Sequence, residues 1–264
     1  MRDSFLHAAL AIVRRRLRNR FYLSYGMRGT APINPAFGSA EGTPIDRHYV
    51  DRFLGSRCEH ITGRVLEVGD STYTGRFGQG VTRSDVLHTS ASPDATIVGD
   101  LTSCPQIPSG SFDCVILTQV LHCIYDMEAV IAEARRILGD GGTLLCTVPG
   151  ISQISRFDMD RWGDRWRLTT QSASELLLTA FDPNEIDIVT YGNAYSSVCF
   201  LQGVPYERLN KRRVELWEPD YQLIIGMCAE KSGEADGASL DCGGNAEPSD
   251  AEIPDLRSEG LTPQ

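Results

Sequence analysis

The sequence predicts an α/β domain in which helices and strands alternate along the chain and form a doubly wound, mostly parallel sheet. Apolar runs of strand length recur, and the run at 114–118 is continuous, which is typical of a central parallel strand buried on both faces. Between such runs lie segments with helical spacing of apolar residues, such as 127–138. The glycine-rich turn at 139–142 separates a helix from the strand that follows it.

Composition divides the chain into three parts. Residues 1–42 form a basic front helix followed by a linker rich in Gly, Ala and Pro, and residues 43–231 form the α/β domain. With 264 residues and 41% apolar content, the chain can bury a sizeable core. Residues 232–264 have no aromatic side chain and are strongly acidic, so we expect a disordered tail that says little about any ligand.

Several classes of protein are disfavoured. The longest apolar run near the start is about eight residues, well short of the roughly 18 needed to cross a bilayer, and no signal-peptide cleavage site follows it. The eight cysteines include no C-x-x-C pair, and the histidines have no partners at ligand spacing. We therefore expect a cytoplasmic protein with no metal site.

The front helix places apolar residues at helical spacing and crowds arginines into its last turns. Packing on the domain or on a partner protein is the simplest interpretation. Attachment to an anionic membrane surface is a second, because basic amphipathic helices bind anionic lipid. Nucleic acid is not expected, since no aromatic platform or second basic patch accompanies the arginines.

The domain itself opens with a predicted helix over 43–58. Thr43 and Asp46 have the spacing of a capping box, with Pro44 at the first helical position. The face that packs on the sheet is predicted to consist of Ile45, Tyr49, Val50, Phe53 and Leu54.

A strand, a tight turn, a brief helix and a second strand then span 63–85. The first strand ends in a turn at Gly69, and the second is predicted to close on Asp85, whose carboxylate could accept both hydroxyls of a ribose. A dinucleotide site would need glycine where Ser71 stands, and Asp70 about 4 Å from a phosphate would be unfavourable by roughly 4 kcal/mol. The turn therefore favours a cationic nucleoside, S-adenosylmethionine, over NAD.

The remaining elements continue the alternation. A short strand ends at Asp100, and the strand at 114–118 and the helix at 127–138 follow it. The later elements are predicted as strands at 143–148, 186–191 and 221–229 and a helix at 172–181.

Four stretches carry a resemblance to a known family: VLEVGDSTYTGRFG, SDVL, IVGDLTSCPQIPSGSFDCVILTQVLHCIYD and RRILGDGGTLLCTVPG. Over residues 47–231 the chain resembles class I S-adenosylmethionine-dependent methyltransferases of the small-molecule branch, which implies a Rossmann-like methyltransferase fold with seven strands. The run SRFDMDRWGDRW is further similar to methyltransferase domains found beside, or fused to, glycosyltransferases of polysaccharide biosynthesis. It implies a possible glycosyltransferase partner.

The resemblance also implies roles for single residues. Glu67 would brace the turn, and Thr118 and Gln119 would lie beside the methionine moiety. Two positions depart from the family pattern: Ser71 replaces the second glycine of the turn, and only 15 positions separate Gly69 from Asp85. At the ribose the resemblance implies Asp85, and at the adenine it implies Val86, Asp100 and Leu101. The other implied cofactor-binding residues are Glu67, Gly69, Asp70, Ser71, Thr118 and Gln119.

For the chemistry, a hydroxyl acceptor needs a general base close to the sheet's carboxyl edge. His122 is the first candidate and Asp158 the second. Tryptophans and acids alternate over 154–168, a pattern suited to a sugar, and 192–219 could close over it.

We therefore expect methyl transfer to a small-molecule or carbohydrate acceptor, at a hydroxyl. The first alternative is a non-catalytic module of the same fold that binds a glycosyltransferase or scaffold. The second is a nicotinamide-dependent oxidoreductase, which Asp70 and Ser71 disfavour.

Overall fold

The computed structural model describes residues 29–233, and these form a single seven-stranded sheet with helices on both faces. The sheet order is β3-β2-β1-β4-β5-β7-β6, with β7 antiparallel to both of its neighbours and all other pairs parallel. The predicted doubly wound, mostly parallel sheet is confirmed. Its strands are β1 (Gly63–Val68), β2 (Val81–His88), β3 (Ile97–Val98), β4 (Phe112–Thr118), β5 (Leu138–Pro149), β6 (Ile186–Tyr191) and β7 (Ile224–Glu230).

Seven α-helices occur in this part of the chain, together with short 3₁₀ turns. One face of the sheet is covered by α3 and α5, and the other by α1. The helices are α1 (Ile45–Gly55), α2 (Thr72–Phe77), α3 (Met127–Ile137), α4 (Arg156–Met159), α5 (Thr170–Leu177), α6 (Ala194–Leu201) and α7 (Lys211–Val214), and the 3₁₀ turns are Cys58–His60, Leu121–Cys123 and Tyr206–Arg208.

Helix α1 packs on the sheet with the predicted face, which is completely buried. The packing is close: a Cβ on Gly226 of β7 would lie 2.5 Å from the Phe53 ring, so only glycine fits there. The predicted capping box is wrong. Pro44 is the N-cap, without a side-chain cap, and Thr43 instead donates from Oγ1 to Glu207 Oε1 at 2.7 Å.

The predicted linker packs against the domain from residue 29 onward. Asn34 N donates to Gln202 O at 3.1 Å, and Pro35 O accepts from Gln153 Nε2 at 2.7 Å. The Phe37 ring stacks on Phe200 with centroids 5.3 Å apart. This segment is therefore a wall of the domain. The predicted front helix and acidic tail fall on residues 1–28 and 234–264, which lie outside the described residues.

Three predicted absences concern the same 29–233 stretch. None of its helices is both long and apolar enough to traverse a bilayer. Its seven cysteines form no disulfide, and those on β4, β5 and β7 are buried, as expected of core residues. Within it, acidic, histidine and cysteine side chains form no group able to hold a metal ion.

A buried carboxylate connects three distant segments. Glu185, before β6, is 6% exposed and accepts from Asp182 N at 2.8 Å, Arg135 Nη1 at 2.7 Å and Ser232 N at 2.6 Å. Burial raises the pKa of Glu185, but these hydrogen bonds outweigh burial and bring the pKa to about 2. Because the pKa is lowered on folding, the ionised side chain stabilises the fold above its unfolded pKa near 4.5, and that stabilisation is lost as the pH falls toward 2.

We expect Glu185→Gln to lower the free energy of unfolding by about 2 kcal/mol at pH 7, because charged hydrogen bonds in a buried site are replaced by weaker ones. Urea denaturation at pH 7 and at pH 4 measures the change, and the difference from wild type should be smaller at pH 4. Glu175→Gln, at an exposed position of α5, is the matched control and should leave stability unchanged. Equal destabilisation by both variants would contradict the assignment.

Candidate active site

The sheet has its switch point between β1 and β4, since β1 leads to β2 on one side and β4 leads to β5 on the other. Doubly wound sheets bind ligands in the crevice at the carboxyl ends of such strands. The first residue after β1 is Gly69, with φ +92°, and the first after β4 is Gln119, with φ +54°. Both turns therefore use the left-handed region, which is uncommon for a side chain such as that of Gln119.

The turn after β1 is held by Glu67, as predicted. Its side chain is 1% exposed and accepts from Tyr73 N at 3.1 Å, Thr74 N at 2.8 Å and Thr74 Oγ1 at 2.8 Å. Burial raises the pKa of Glu67, partly offset by these donors. The result is a fixed turn in which Gly69 is exposed, with open space where a Cβ would point.

The turn after β4 is held by β5. Gln119 N donates to Thr147 O at 2.9 Å, and Gln119 Nε2 donates to Thr147 Oγ1 at 3.3 Å. Thr118, the last residue of β4, pairs with the same threonine. Backbone strain of this kind persists where surrounding bonds fix it, and it clusters at functional sites.

A cavity of about 610 Å³ lies beyond β4 and β5, bordered by Gln119 and Pro149. Its walls come from segments far apart in sequence. The packed segment contributes Phe37, the start of α1 contributes Asp46 and Arg47, and the loop after β5 contributes further side chains. Those further residues are Ser152, Gln153, Ser155, Arg156, Phe157, Asp158, Asp164 and Arg167.

His122 is in this cavity wall and is 5% exposed. Its Nε2 lies 3.9 Å from Asp164 Oδ1, and its Nδ1 has no hydrogen-bond partner. Asp164 is held in place by Ser155 N at 2.8 Å and by Arg167, whose Nη2 donates at 2.8 Å. Burial lowers the pKa of His122, against the opposing effect of Asp164, so the ring is neutral near pH 7.

Three cavity residues carry a buried polar atom without a hydrogen-bond partner: Asp46 Oδ1, His122 Nδ1 and Arg167 Nε. Burial raises the pKa of Asp46, opposed chiefly by Arg47. Buried polar atoms are nearly always paired, so this cluster gives the cavity a wall suited to polar groups.

The three acids of the predicted cofactor pocket differ in burial, because Asp85 is buried in the sheet whereas Asp70 and Asp100 are exposed. Asp70 and Asp100 are exposed, and each Oδ1 accepts from the backbone N–H two residues later, Thr72 N at 2.8 Å and Thr102 N at 2.9 Å. Ser71 is the exposed N-cap residue of α2, and Leu101 is buried in the core. The ring of three carboxylates expected from the sequence is therefore incomplete, because Asp85 is buried and paired with two arginines.

Asp85 is the clearest correction. Strand β2 does not end there but continues for three residues to His88, so Asp85 lies inside the sheet opposite Leu66. It is 1% exposed and accepts from Arg64 Nε at 2.8 Å and Arg83 Nη2 at 3.0 Å. Burial raises the pKa of Asp85, but the arginines outweigh burial and the pKa is lowered.

Val86 shares this correction, because it is buried within β2 and donates from N to Thr96 Oγ1 at 2.8 Å. Neither Asp85 nor Val86 is available for a ribose or an adenine ring. The sequence interpretation ended this strand at Asp85 because an acid followed a short strand-like run, whereas β2 continues to His88.

The predicted acceptor wall over 154–168 contributes only some of its members to the cavity. Asp158 lines the cavity and Trp162 and Trp166 do not. Trp162 is 51% exposed beside Phe157, and Trp166 donates from Nε1 to Ile124 O at 3.0 Å. Sequence reasoning also missed Asp46, whose position at the start of α1 gave no signal that it would face a cavity.

Comparison with known protein families gives a match to part of the domain. Residues 79–146, which are 68 of the 264, match a family model described as a methyltransferase domain. Over these residues the chain is similar to methyltransferase domains. The matched segment runs from the start of β2 into β5 and includes Gln119 and His122. S-adenosylmethionine is the cofactor, as expected. No curated protein matches the chain in sequence.

Solved structures are similar at low identity. An S-adenosylmethionine-dependent methyltransferase from Archaeoglobus fulgidus is 11% identical, with a TM-score of 0.46 over 70% of this chain and 94% of its own. The [4+2]-cyclase SpnF is 17% identical, with a TM-score of 0.47 over 80% and 91%. The phosphoethanolamine N-methyltransferase 2 of Haemonchus contortus is 15% identical, with a TM-score of 0.43 over 71% and 53%. At these values they indicate nothing about the substrate of this methyltransferase domain.

The residues at the switch point fit the cofactor. Gly69 leaves open space beside a fixed turn, and Gln119 borders the cavity in which the acceptor would lie. The methionine part would therefore be held by the turns after β1 and β4, with Glu67 as the brace. Asp85 does not belong to this set.

Asp85→Ala is expected to lower the free energy of unfolding by about 2 kcal/mol, since it removes buried charge-assisted hydrogen bonds, and to leave the dissociation constant of S-adenosylhomocysteine within about twofold. Chemical denaturation and calorimetry measure the two quantities. Asp94→Ala, at an exposed position between β2 and β3, serves as the control. A selective loss of nucleoside binding with unchanged stability would return Asp85 to the site.

Proposed function

We propose that this methyltransferase transfers the methyl group of S-adenosylmethionine to a hydroxyl of a small-molecule or carbohydrate acceptor held in the 610 Å³ cavity. One observation carries the proposal: a buried, neutral histidine with an unpaired ring nitrogen lies in the cavity wall, three residues after the turn at Gln119. That is the position and protonation state a general base needs.

His122 would act through Nδ1, the nitrogen that has no partner. Asp164, 3.9 Å from Nε2, favours a proton on Nε2 and thereby leaves the Nδ1 lone pair available. Bound S-adenosylmethionine would supply an electrophilic methyl carbon, whose bond to sulfur breaks as the acceptor oxygen attacks it. His122 Nδ1 takes the proton of that hydroxyl, and the nearby Asp164 carboxylate stabilises the resulting imidazolium.

The other cavity residues support a polar, hydroxyl-bearing acceptor. Asp46 Oδ1 and Arg167 Nε offer an acceptor and a donor that no protein atom uses. A sugar has neighbouring hydroxyls that could pair with both, and Phe157 offers a ring for its C–H face. The volume suits a small ligand, since pockets of this kind range over about 300 to 1,000 Å³.

The setting of the reaction is part of the proposal. We expect a cytoplasmic enzyme whose acceptor belongs to a polysaccharide pathway, with a glycosyltransferase partner or a membrane surface bound through the arginine-rich front segment. The run at 155–166 and the basic residues of 1–28 support this, the latter from sequence alone.

The first test is binding and turnover. Calorimetry with S-adenosylmethionine, S-adenosylhomocysteine and NAD should detect the two sulfur nucleosides only. A panel of monosaccharides, nucleotide sugars and oligosaccharides is then assayed for release of S-adenosylhomocysteine. Binding of neither sulfur nucleoside would favour the non-catalytic, partner-binding module.

With the acceptor found by that panel, His122→Asn should lower kcat by roughly 100-fold or more, the usual contribution of a general base, while S-adenosylhomocysteine binds as in wild type. His60→Asn is the matched control, because His60 lies before β1 at the opposite end of the sheet and contacts Thr143. Retention of full kcat by the His122 variant would remove it from the chemistry.

The pH profile separates His122 from Asp158. Because burial lowers the pKa of His122, the acidic limb of kcat should have its midpoint below 6.5, with activity lost as the pH falls through that midpoint. Asp158 raises the pKa of His122, so Asp158→Asn should shift the limb to lower pH and leave the plateau in place. Loss of the plateau would make Asp158 the base.

A further inference from the structure

Strand β2 ends at a histidine that none of the interactions above explains. His88 is half-buried, and its Nε2 is enclosed by protein without a hydrogen-bond partner. A buried nitrogen without a hydrogen-bond partner is unfavourable, so such atoms are rare unless a ligand or water pairs with them. His88 does not line the cavity that contains His122.

The register places His88 beside the open glycine turn. Val68 pairs with Leu87, and Gly69 N donates to Leu87 O at 3.1 Å, so His88 is the β2 residue level with Gly69. Side chains alternate along a strand, which puts His88 on the same face as Val86 and hence on the Glu67 side of the sheet.

This is the carboxyl end of β2, next to the turn that fits the methionine part of the cofactor. In a doubly wound sheet the end of the second strand faces the ribose of a nucleoside bound at the switch point. The acid expected there, Asp85, is three residues too early and is committed to Arg64 and Arg83. The residue that reaches the ribose position is therefore a histidine.

We infer that His88 binds the ribose of S-adenosylmethionine through Nε2, in the place where an acid was expected. This rests on the proposed cofactor. A hydroxyl can both donate and accept, so it pairs with Nε2 in either tautomer of the ring. A carboxylate has two oxygens and could accept both ribose hydroxyls, whereas one ring nitrogen can pair with only one of them.

The test is a cycle of protein and ligand variants measured by calorimetry. The ligands are S-adenosylhomocysteine and its 2′-deoxy and 3′-deoxy analogues, and the proteins are wild type, His88→Ala and His88→Gln. In wild type, one of the two deoxy analogues should bind roughly tenfold more weakly than S-adenosylhomocysteine. In His88→Ala, S-adenosylhomocysteine should bind about tenfold more weakly and that analogue should no longer differ from it.

His88→Gln retains an amide that can reach the hydroxyl and should keep both affinity and discrimination within about threefold of wild type. The measured quantity is the ratio of the dissociation constants of two ligands on the same protein, so a general loss of stability does not change it. Thermal unfolding of each variant checks that it is folded. His48→Ala is the matched control, since His48 Nε2 pairs with Glu215 Oε1 at 2.9 Å and the variant should leave the affinity for all three ligands unchanged.

The outcomes are distinct. If His88→Ala keeps the wild-type discrimination between the analogues, the ribose is held elsewhere and His88 is excluded while the cofactor stands. If both deoxy analogues bind wild type more weakly, by factors that His88→Ala leaves unchanged, that outcome also excludes His88 from the ribose site. If wild type binds no sulfur nucleoside at all, the cofactor and the role of His88 are overturned together.

Discussion

The site depends on one buried carboxylate, that of Glu67. By accepting two backbone N–H groups and one hydroxyl of α2, it fixes the path of the chain between β1 and α2 and so keeps the Gly69 turn open. A carboxylate 1% exposed is tolerable only because its donors compensate its desolvation. From α2 the chain continues into β2, whose last residue, His88, lies level with Gly69.

Much of the fold was predictable because its signals are local. Buried parallel strands read as continuous apolar runs, so β1 and β4 were predicted near their observed bounds, and the α1 face was predicted residue by residue. The end of β2 was not predictable in this way. Asp85 looks terminal in sequence, and only pairing with Arg64 across the sheet shows that a buried acid can sit inside a strand.

The candidate site was predictable in part for a related reason. Gly69, Gln119 and His122 lie just beyond strand ends, and their positions follow from the topology alone. Asp46, Phe37 and Arg167 come to the cavity through long-range packing, which leaves no periodic or motif signal in the sequence. Trp162 and Trp166 gave a misleading signal, because an aromatic residue in a loop can equally bind to the rest of the domain. Trp166 does so by donating a hydrogen bond from Nε1 to Ile124 O.

The two ends of the site use histidine differently, and burial explains why both can work. Burial lowers the pKa of His122, so its ring is neutral near pH 7. The charges of Asp164 and Asp158 raise that pKa, which favours uptake of a proton during the reaction. The proposed ribose contact of His88, level with the exposed Gly69, would use one ring nitrogen and would add no carboxylate to a region where Asp70 already lies. A sulfonium cofactor held as proposed would rely less on carboxylates than on the geometry of the two left-handed turns at Gly69 and Gln119. That arrangement makes the register between β1 and β2 the decisive feature of nucleoside binding.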